Sequence, residues 1–189
     1  SQWVGTPLLL LAYDERLEGG DNPALLRVEL AKAPLQCVPG TCHTYQNVAF
    51  DAASEILGQA AGRTFSDAVE TRFFRPLGME SAAYGVEGLT GTREWARPHQ
   101  LMEVRPIKEA YWRVPAAAGV SSNIVDFATW MQAAMGNRPD VLSRSVLQTA
   151  QSPRVVTPRL YSGDLAKALA GAGYGLGWRS FVYGPYSLA

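Results

Sequence analysis

Cysteine and histidine are both scarce in this chain, with two of each in 189 residues. A structural zinc site normally gathers four clustered ligands. Cys37 and Cys42 with two widely separated histidines, His43 and His99, do not supply that set, so no metal is expected. Neither charge sign is in excess, with 17 basic residues against 17 acidic ones. That balance gives no electrostatic footprint for nucleic acid or an anionic membrane, and it favours self-association. Long apolar runs are missing too. A membrane span needs roughly 20 apolar residues, whereas Leu8-Leu9-Leu10-Leu11-Ala12 is short and follows no basic region. It reads as a core strand or helix rather than a leader peptide. Charged residues make up only 18% and hydrophobic ones 47%, which fits a folded globule. The length suffices for one domain with a sizeable core. No repeat, no low-complexity tract and no G-x-S-x-G elbow is present.

What is there reads as mainly α, with irregular loops and a few short strands. Residues 1–12 are apolar, and Tyr13 to Asp21 is an acidic, Gly-rich loop. Pro23 suits a first helical position after Asn22, and Leu25, Leu26, Val28, Leu30 and Ala33 continue that helix until Pro34. Val48 to Ala61 is the clearest helix. Phe50, Ala53, Ile56, Leu57 and Ala60 recur at three- and four-residue steps, predicting one buried face, and Gly62 suits the C-terminal cap. Thr64 with Asp67 starts another helix, with Ala68, Val69, Phe73 and Phe74 as its buried stripe and Pro76 and Gly78 at its end. Residues 80–115 keep no period. Asn123 and Asp126 open a helix whose inner face is Ile124, Phe127, Ala128, Met131 and Met135, ending at Gly136. Short helices follow over 143–150 and 163–170, and then a strand leading to a turn at Tyr183-Gly184-Pro185-Tyr186.

Tyr45-Gln46-Asn47 joins a polar tripeptide to an apolar helix. In extended backbone, residues two apart share a face, so a phenol and a carboxamide are expected side by side at a helix entrance. The structural alternative is a loop tyrosine with Asn47 capping the helix at Val48. Other polar residues read as structural. Ser121 and Ser122 suit helix capping, and His43 and His99 suit loops. Asp51 and Glu55, one helical turn apart, read with Glu70 as a solvated helix face rather than as paired acid–base carboxylates. Tyr111, Trp112 and Trp178 fit a core, with a cleft wall as the second reading.

Several segments then occur in a particular order: Pro39-Gly40, Tyr45-Gln46-Asn47, a helix ending near Gly62, Phe74-Arg75-Pro76-Leu77-Gly78-Met79, Ala117-Ala118-Gly119-Val120-Ser121-Ser122, and Tyr174-Gly175-Leu176-Gly177-Trp178. In these the chain resembles the serine β-lactamase-like hydrolases: class C β-lactamases, D-alanyl-D-alanine carboxypeptidases and related esterases. The match covers roughly residues 23 to 180. It implies the helical domain of the β-lactamase/transpeptidase-like fold over 22–180, an N-terminal segment of uncertain kind over 1–21, and a tail over 181–189. The α/β domain is expected to be largely missing.

The same resemblance implies catalytic roles for Tyr45, as proton shuttle, and for Asn47. Gln46, Ala118 and Gly119 are the implied substrate-binding residues. The substrate would be a β-lactam, a D-alanyl peptide or an ester, with no cofactor or metal. Such enzymes attack with the serine of an S-x-x-K motif and close the site with a K-T-G or H-x-G strand. None of the three lysines here, Lys32, Lys108 and Lys167, lies three positions after a serine, and neither strand motif occurs. The chain is therefore expected to be the middle of such an enzyme, inactive alone, with the missing α/β portion as its natural partner. Ala118 stands where some class C enzymes carry an aromatic, which leaves esterase and carboxypeptidase parents open. A non-catalytic ligand-binding domain is the alternative from another class. Pro39-Gly40 is a turn signal that lets Cys37 face Cys42. Since such relatives are usually exported, a disulfide and a periplasmic or secreted location are expected, against two reduced thiols.

Overall fold

Two compact units are present in the computed structural model, which describes residues 6–35, 37–157 and 163–189. One comprises Ser1–Ala33 with Tyr45–Gln132, the other Pro34–Thr44 with Ala133–Ala189.

The first unit begins with α1 (Thr6–Glu18), so the loop expected from Tyr13 onward is instead helix for most of its length. Tyr13 and Leu17, four apart, share a helix face and are both buried, while the acidic residues between them fall on other faces. Gly20, at φ 107°, lies just beyond the helix end. Helix α2 (Pro23–Leu30) starts where Asn22 and Pro23 place it, with the Asn22 side chain accepting from Ala24 N at 2.8 Å. Leu26 joins Tyr13, Leu17, Val48, Ala110 and Val114 in the core cluster.

The expected single helix over 48–61 is two pieces, α3 (Asn47–Phe50) and α4 (Ala52–Ala61), meeting at Asp51. Gly62 caps α4 in the left-handed region at φ 63°. Phe50, Ile56 and Leu57, expected to be buried, are exposed. Periodicity fixes which residues share a side of a helix, and burial requires a neighbour on that side. Helix α5 (Phe65–Val69) starts on Thr64, whose hydroxyl accepts from Asp67 N at 3.1 Å. A π-helical turn (Glu70–Phe74) then leads into α6 (Arg75–Leu77), where Arg75 N reaches back to Glu70 O. Pro76 cannot donate to the ladder, and the widened turn carries the helix past it to Gly78.

Beyond Met79 come β1 (Ala83–Tyr84), α7 (Gly85–Thr90), β2 (His99–Gln100), β3 (Glu103–Val104), a 3-10 turn (Glu109–Arg113), β4 (Val120–Ser121) and α8 (Ile124–Ala134). The short strands pair antiparallel, β1 with β4 and β2 with β3. Phe74 stacks on Tyr84, and Phe73 meets Trp130 edge-on. Asn123 caps α8 through Asp126 N at 2.8 Å. Ser121 lies in β4, and Ser122 bonds the Asn123 carbonyl, so neither serine is the cap. Asp126 is buried and accepts from both Ser81 N and Ser81 Oγ at 2.7 Å. Ile124, Phe127, Met131 and Met135, expected to face inward, are exposed.

The second unit carries α9 (Arg144–Gln151), β5 (Val155–Val156), α10 (Gly163–Ala168), β6 (Leu169–Tyr174), β7 (Arg179–Tyr183) and β8 (Tyr186–Leu188). The four strands form one antiparallel sheet in the order β5-β6-β7-β8. The stretch expected as a tail over 181–189 thus supplies most of β7 and β8, which pair Tyr183 with Tyr186 across a turn where Gly184 takes φ 56°. Cys37 and Cys42 are disulfide-bonded in the Pro34–Thr44 segment.

Candidate functional site

The Tyr45–Asn47 turn enters α3 through an extended residue, Gln46 (φ −153°, ψ 114°). Gln46 rather than Asn47 caps the helix: its carboxamide oxygen accepts from Val48 N at 2.6 Å, and the side chain is buried. The carboxamide of Gln46, one of the implied substrate-binding residues, thus serves the helix start. Tyr45 and Asn47 diverge. Tyr45 is 49% exposed and Asn47 only 9%. Asn47 is already inside the helix, where side chains no longer alternate, so its amide turns inward. Its Nδ2 lies 3.4 Å from both carboxylate oxygens of Asp14 on α1.

A polar patch surrounds this turn. Tyr111, on the 3-10 turn, donates its hydroxyl to Glu18 Oε1 at 2.9 Å, and Lys108 Nζ donates to Glu18 Oε2 at 2.8 Å. Lys108 and then Tyr111 hold the Glu18 carboxyl below its ordinary range. Burial pushes the Tyr111 phenol up to about 12, with Glu18, Asp14 and Tyr45 adding to the shift. Burial also raises the Asp14 carboxyl, against the pull of Asn47 and with a further push from Glu18. Asp14, Glu18 and Lys108 carried no signal in sequence, because their juxtaposition depends on α1 lying against the 3-10 turn.

Ala118 and Gly119 follow that turn. Ala117 N and Ala118 N both donate to Val114 O, at 2.9 and 3.0 Å. Gly119 has φ 98°, and a Cβ there would sit 2.8 Å from Trp112 Cδ1. Only glycine accommodates both the dihedral and the approach. Trp112 therefore packs under this segment.

Asp51 overturns the solvated-face reading. It is 2% exposed, and its Oδ2 accepts from Arg27 Nη1 at 2.9 Å. Its Oδ1 accepts from Ala116 N at 3.0 Å. Glu55, exposed, takes the other arm of Arg27. The available signal was a lone acid inside the apolar run Val48-Ala49-Phe50-Asp51-Ala52-Ala53, since a charge in such a run needs a partner.

His43 lies in the second unit and stacks on Tyr174, ring centroids 3.9 Å apart. Burial, with Arg179 nearby, lowers its pKa. His99 is exposed, with Nδ1 2.7 Å from Arg97 O. An apolar groove of about 260 Å³ is lined by Leu57, Phe65, Val69, Arg72 and Phe73 among others, and by none of Tyr45, Asn47 or Gly119.

The Beta-lactamase family model matches residues 8–186. The chain belongs to that family. Among curated relatives, the Unguisins hydrolase of Aspergillus campestris is 30% identical over 152 residues, covering 77% of this chain and 27% of that protein. The D-alanyl-D-alanine-carboxypeptidase/endopeptidase AmpH of Escherichia coli is 27% identical over 67% of this chain and 34% of its own length. The chain thus spans about a third or less of these relatives. The octameric penicillin-binding protein homologue from Pyrococcus abyssi superposes with a TM-score of 0.67 at 18% identity, over 92% of this chain and 39% of that one. A D-stereospecific amidohydrolase from Streptomyces gives a TM-score of 0.61 at 18% identity, over 93% and 52%. The fold is that of the β-lactamase/transpeptidase-like proteins.

Proposed function

We propose that this chain supplies the Tyr45–Asn47 part of a serine acyl-hydrolase site and does not turn over substrate by itself. The observation that carries the reading is a match to the family over residues 8–186 that contains the Tyr45-Gln46-Asn47 turn but no S-x-x-K serine. The half-exposed Tyr45 phenol is available to pass a proton at a reacting centre. Asn47 would leave its contact with Asp14, at 3.4 Å longer than a good hydrogen bond, to meet a substrate amide. The serine hydroxyl that attacks the carbonyl carbon, and the lysine that takes its proton, would come from the remainder of the fold.

The substrate class is an amide or ester of the D-alanyl or β-lactam kind. AmpH and a D-aminopeptidase of Gluconobacter oxydans, 42% identical over 68 residues, support peptide-like substrates. The Cys37–Cys42 bond supports an oxidising compartment, periplasmic or secreted. The exposed apolar sides of α4 and α8 support self-association, and the similar Pyrococcus protein is octameric.

The test is an NMR titration of the chain with a D-alanyl-D-alanine peptide and with a β-lactam. Shifts concentrated at Tyr45, Asn47 and Gly119 are the expected result, and shifts confined elsewhere contradict the site. Saturable binding that Tyr45→Phe and Asn47→Ala leave unchanged would instead favour a ligand-binding domain.

A further inference from the structure

We propose that Asp51 is the positioning residue of this half-site, fixing the Tyr45–Asn47 turn against the Ala116–Gly119 segment. The proposal deepens the site reading above and rests on it for its functional meaning.

Asp51 lies one helical turn after Asn47, and its own N–H donates to Asn47 O at 2.9 Å. The carboxylate is therefore rigidly connected to the motif. Its two oxygens are committed in different directions, Oδ2 to Arg27 Nη1 at 2.9 Å and Oδ1 to Ala116 N at 3.0 Å. Arg27 is itself mostly buried and is braced on its other side by Glu55. Three segments that are remote in sequence thus meet on one side chain.

The second of those segments is set at both ends. Ala116 is held by Asp51, and Gly119 is pressed on Trp112 and the Tyr111 carbonyl, which a Cβ would approach to 3.2 Å. Tyr111 in turn is tied to α1 by donating its hydroxyl to Glu18 Oε1 at 2.9 Å, and α1 carries Asp14, which the Asn47 amide meets. The path Asp51, Ala116, Gly119, Tyr111, α1, Asn47 returns to Asp51 through its N–H on Asn47 O. Moving the Asp51 carboxylate would shift the Ala116–Gly119 segment relative to the Tyr45–Asn47 turn.

An ion pair serving stability alone could be exchanged for apolar groups of similar volume with little loss. A carboxylate that accepts a backbone N–H on one oxygen and a guanidinium on the other cannot be so replaced, because each bond is directional. Asparagine keeps an acceptor for Ala116 but turns an N–H₂ toward Arg27. Glutamate keeps the charge and shifts it by one methylene.

The test is a pH titration of the whole chain by NMR, following the Ala116 and Gly119 backbone amides and the Tyr45 ring, and not the Asn47 side-chain amide, whose direct neighbour is the Asp14 carboxylate. Arg27 faces the Asp51 carboxylate directly, and Glu55 acts through Arg27. In the wild type, all three reporters are expected to share one acid midpoint, set by Asp51. Folded Asp51→Asn is expected to lose that common step and to bind a D-alanyl-D-alanine peptide about tenfold more weakly, with Asp51→Glu restoring part of the affinity. Titration of Ala116 without a matching step at Gly119 and Tyr45 overturns the proposal, and needs no variant to be seen. If the reporters move together but the wild type binds no peptide, the positioning stands and the functional reading of the site fails.

Discussion

Asn47 turns its carboxamide onto Asp14, 33 positions earlier in the chain, with Nδ2 at 3.4 Å from each carboxylate oxygen. The contact ties the motif to α1. It also leaves a half-buried carboxylate with no cation hydrogen-bonded or ion-paired to it among the described residues, and burial raises its pKa.

A raised acid favours the fold when protonated. Its contribution is favourable below the ordinary aspartate range and is lost as pH rises through the raised value. Asp14→Asn, which still offers Asn47 an acceptor oxygen, is expected to stabilise the chain at neutral pH by less than about 1 kcal/mol, because solvent screens the half-exposed group. The gain should vanish in acid. Urea midpoints at several pH values check this, and a gain that grows in acid contradicts it.

Arg27→Met leaves the buried Asp51 carboxylate without its counter-ion. The expected loss is about 3–5 kcal/mol, as for other broken buried pairs. Glu55→Gln, at the exposed side of the same arginine, should cost under about 1 kcal/mol. Equal effects in urea denaturation would show that Asp51 is not the partner that matters.

Leu17 is completely buried in the core cluster, whereas Leu57, on the apolar side of α4, is half-exposed. Leu17→Ala is expected to cost about 2–5 kcal/mol, and Leu57→Ala within about 0.5 kcal/mol. If self-association covers α4, the Leu57 effect should grow with protein concentration in thermal melts.

Removing the Cys37–Cys42 bond in a double serine variant should lower stability by about 2 kcal/mol, the chain-entropy value for so short a loop. Equal denaturation midpoints with and without reductant would contradict this.

Local signals in the sequence were legible where the physics is local. Asn22, Thr64 and Asn123 cap helices, and Gly62 ends one, because a cap is decided within a few residues. The faces of α4 and α8 were legible as faces but not as exposed ones, since burial depends on what packs there. Asp51 was misread because its partners, Arg27 and Ala116, lie 24 and 65 positions away. Of the sheet β5–β8, only one strand and the turn at Tyr183–Tyr186 were legible. Its strands are short, and Gly171 and Gly173 interrupt the alternation of β6.

The most direct measurement is hydrolysis of nitrocefin and of p-nitrophenyl esters by the purified chain, with and without Tyr45→Phe. No turnover above the buffer rate is expected, because no serine in the sequence has a lysine three positions later, the S-x-x-K spacing of this kind of acyl transfer. Turnover that Tyr45→Phe abolishes would show a complete site within these 189 residues and contradict the account.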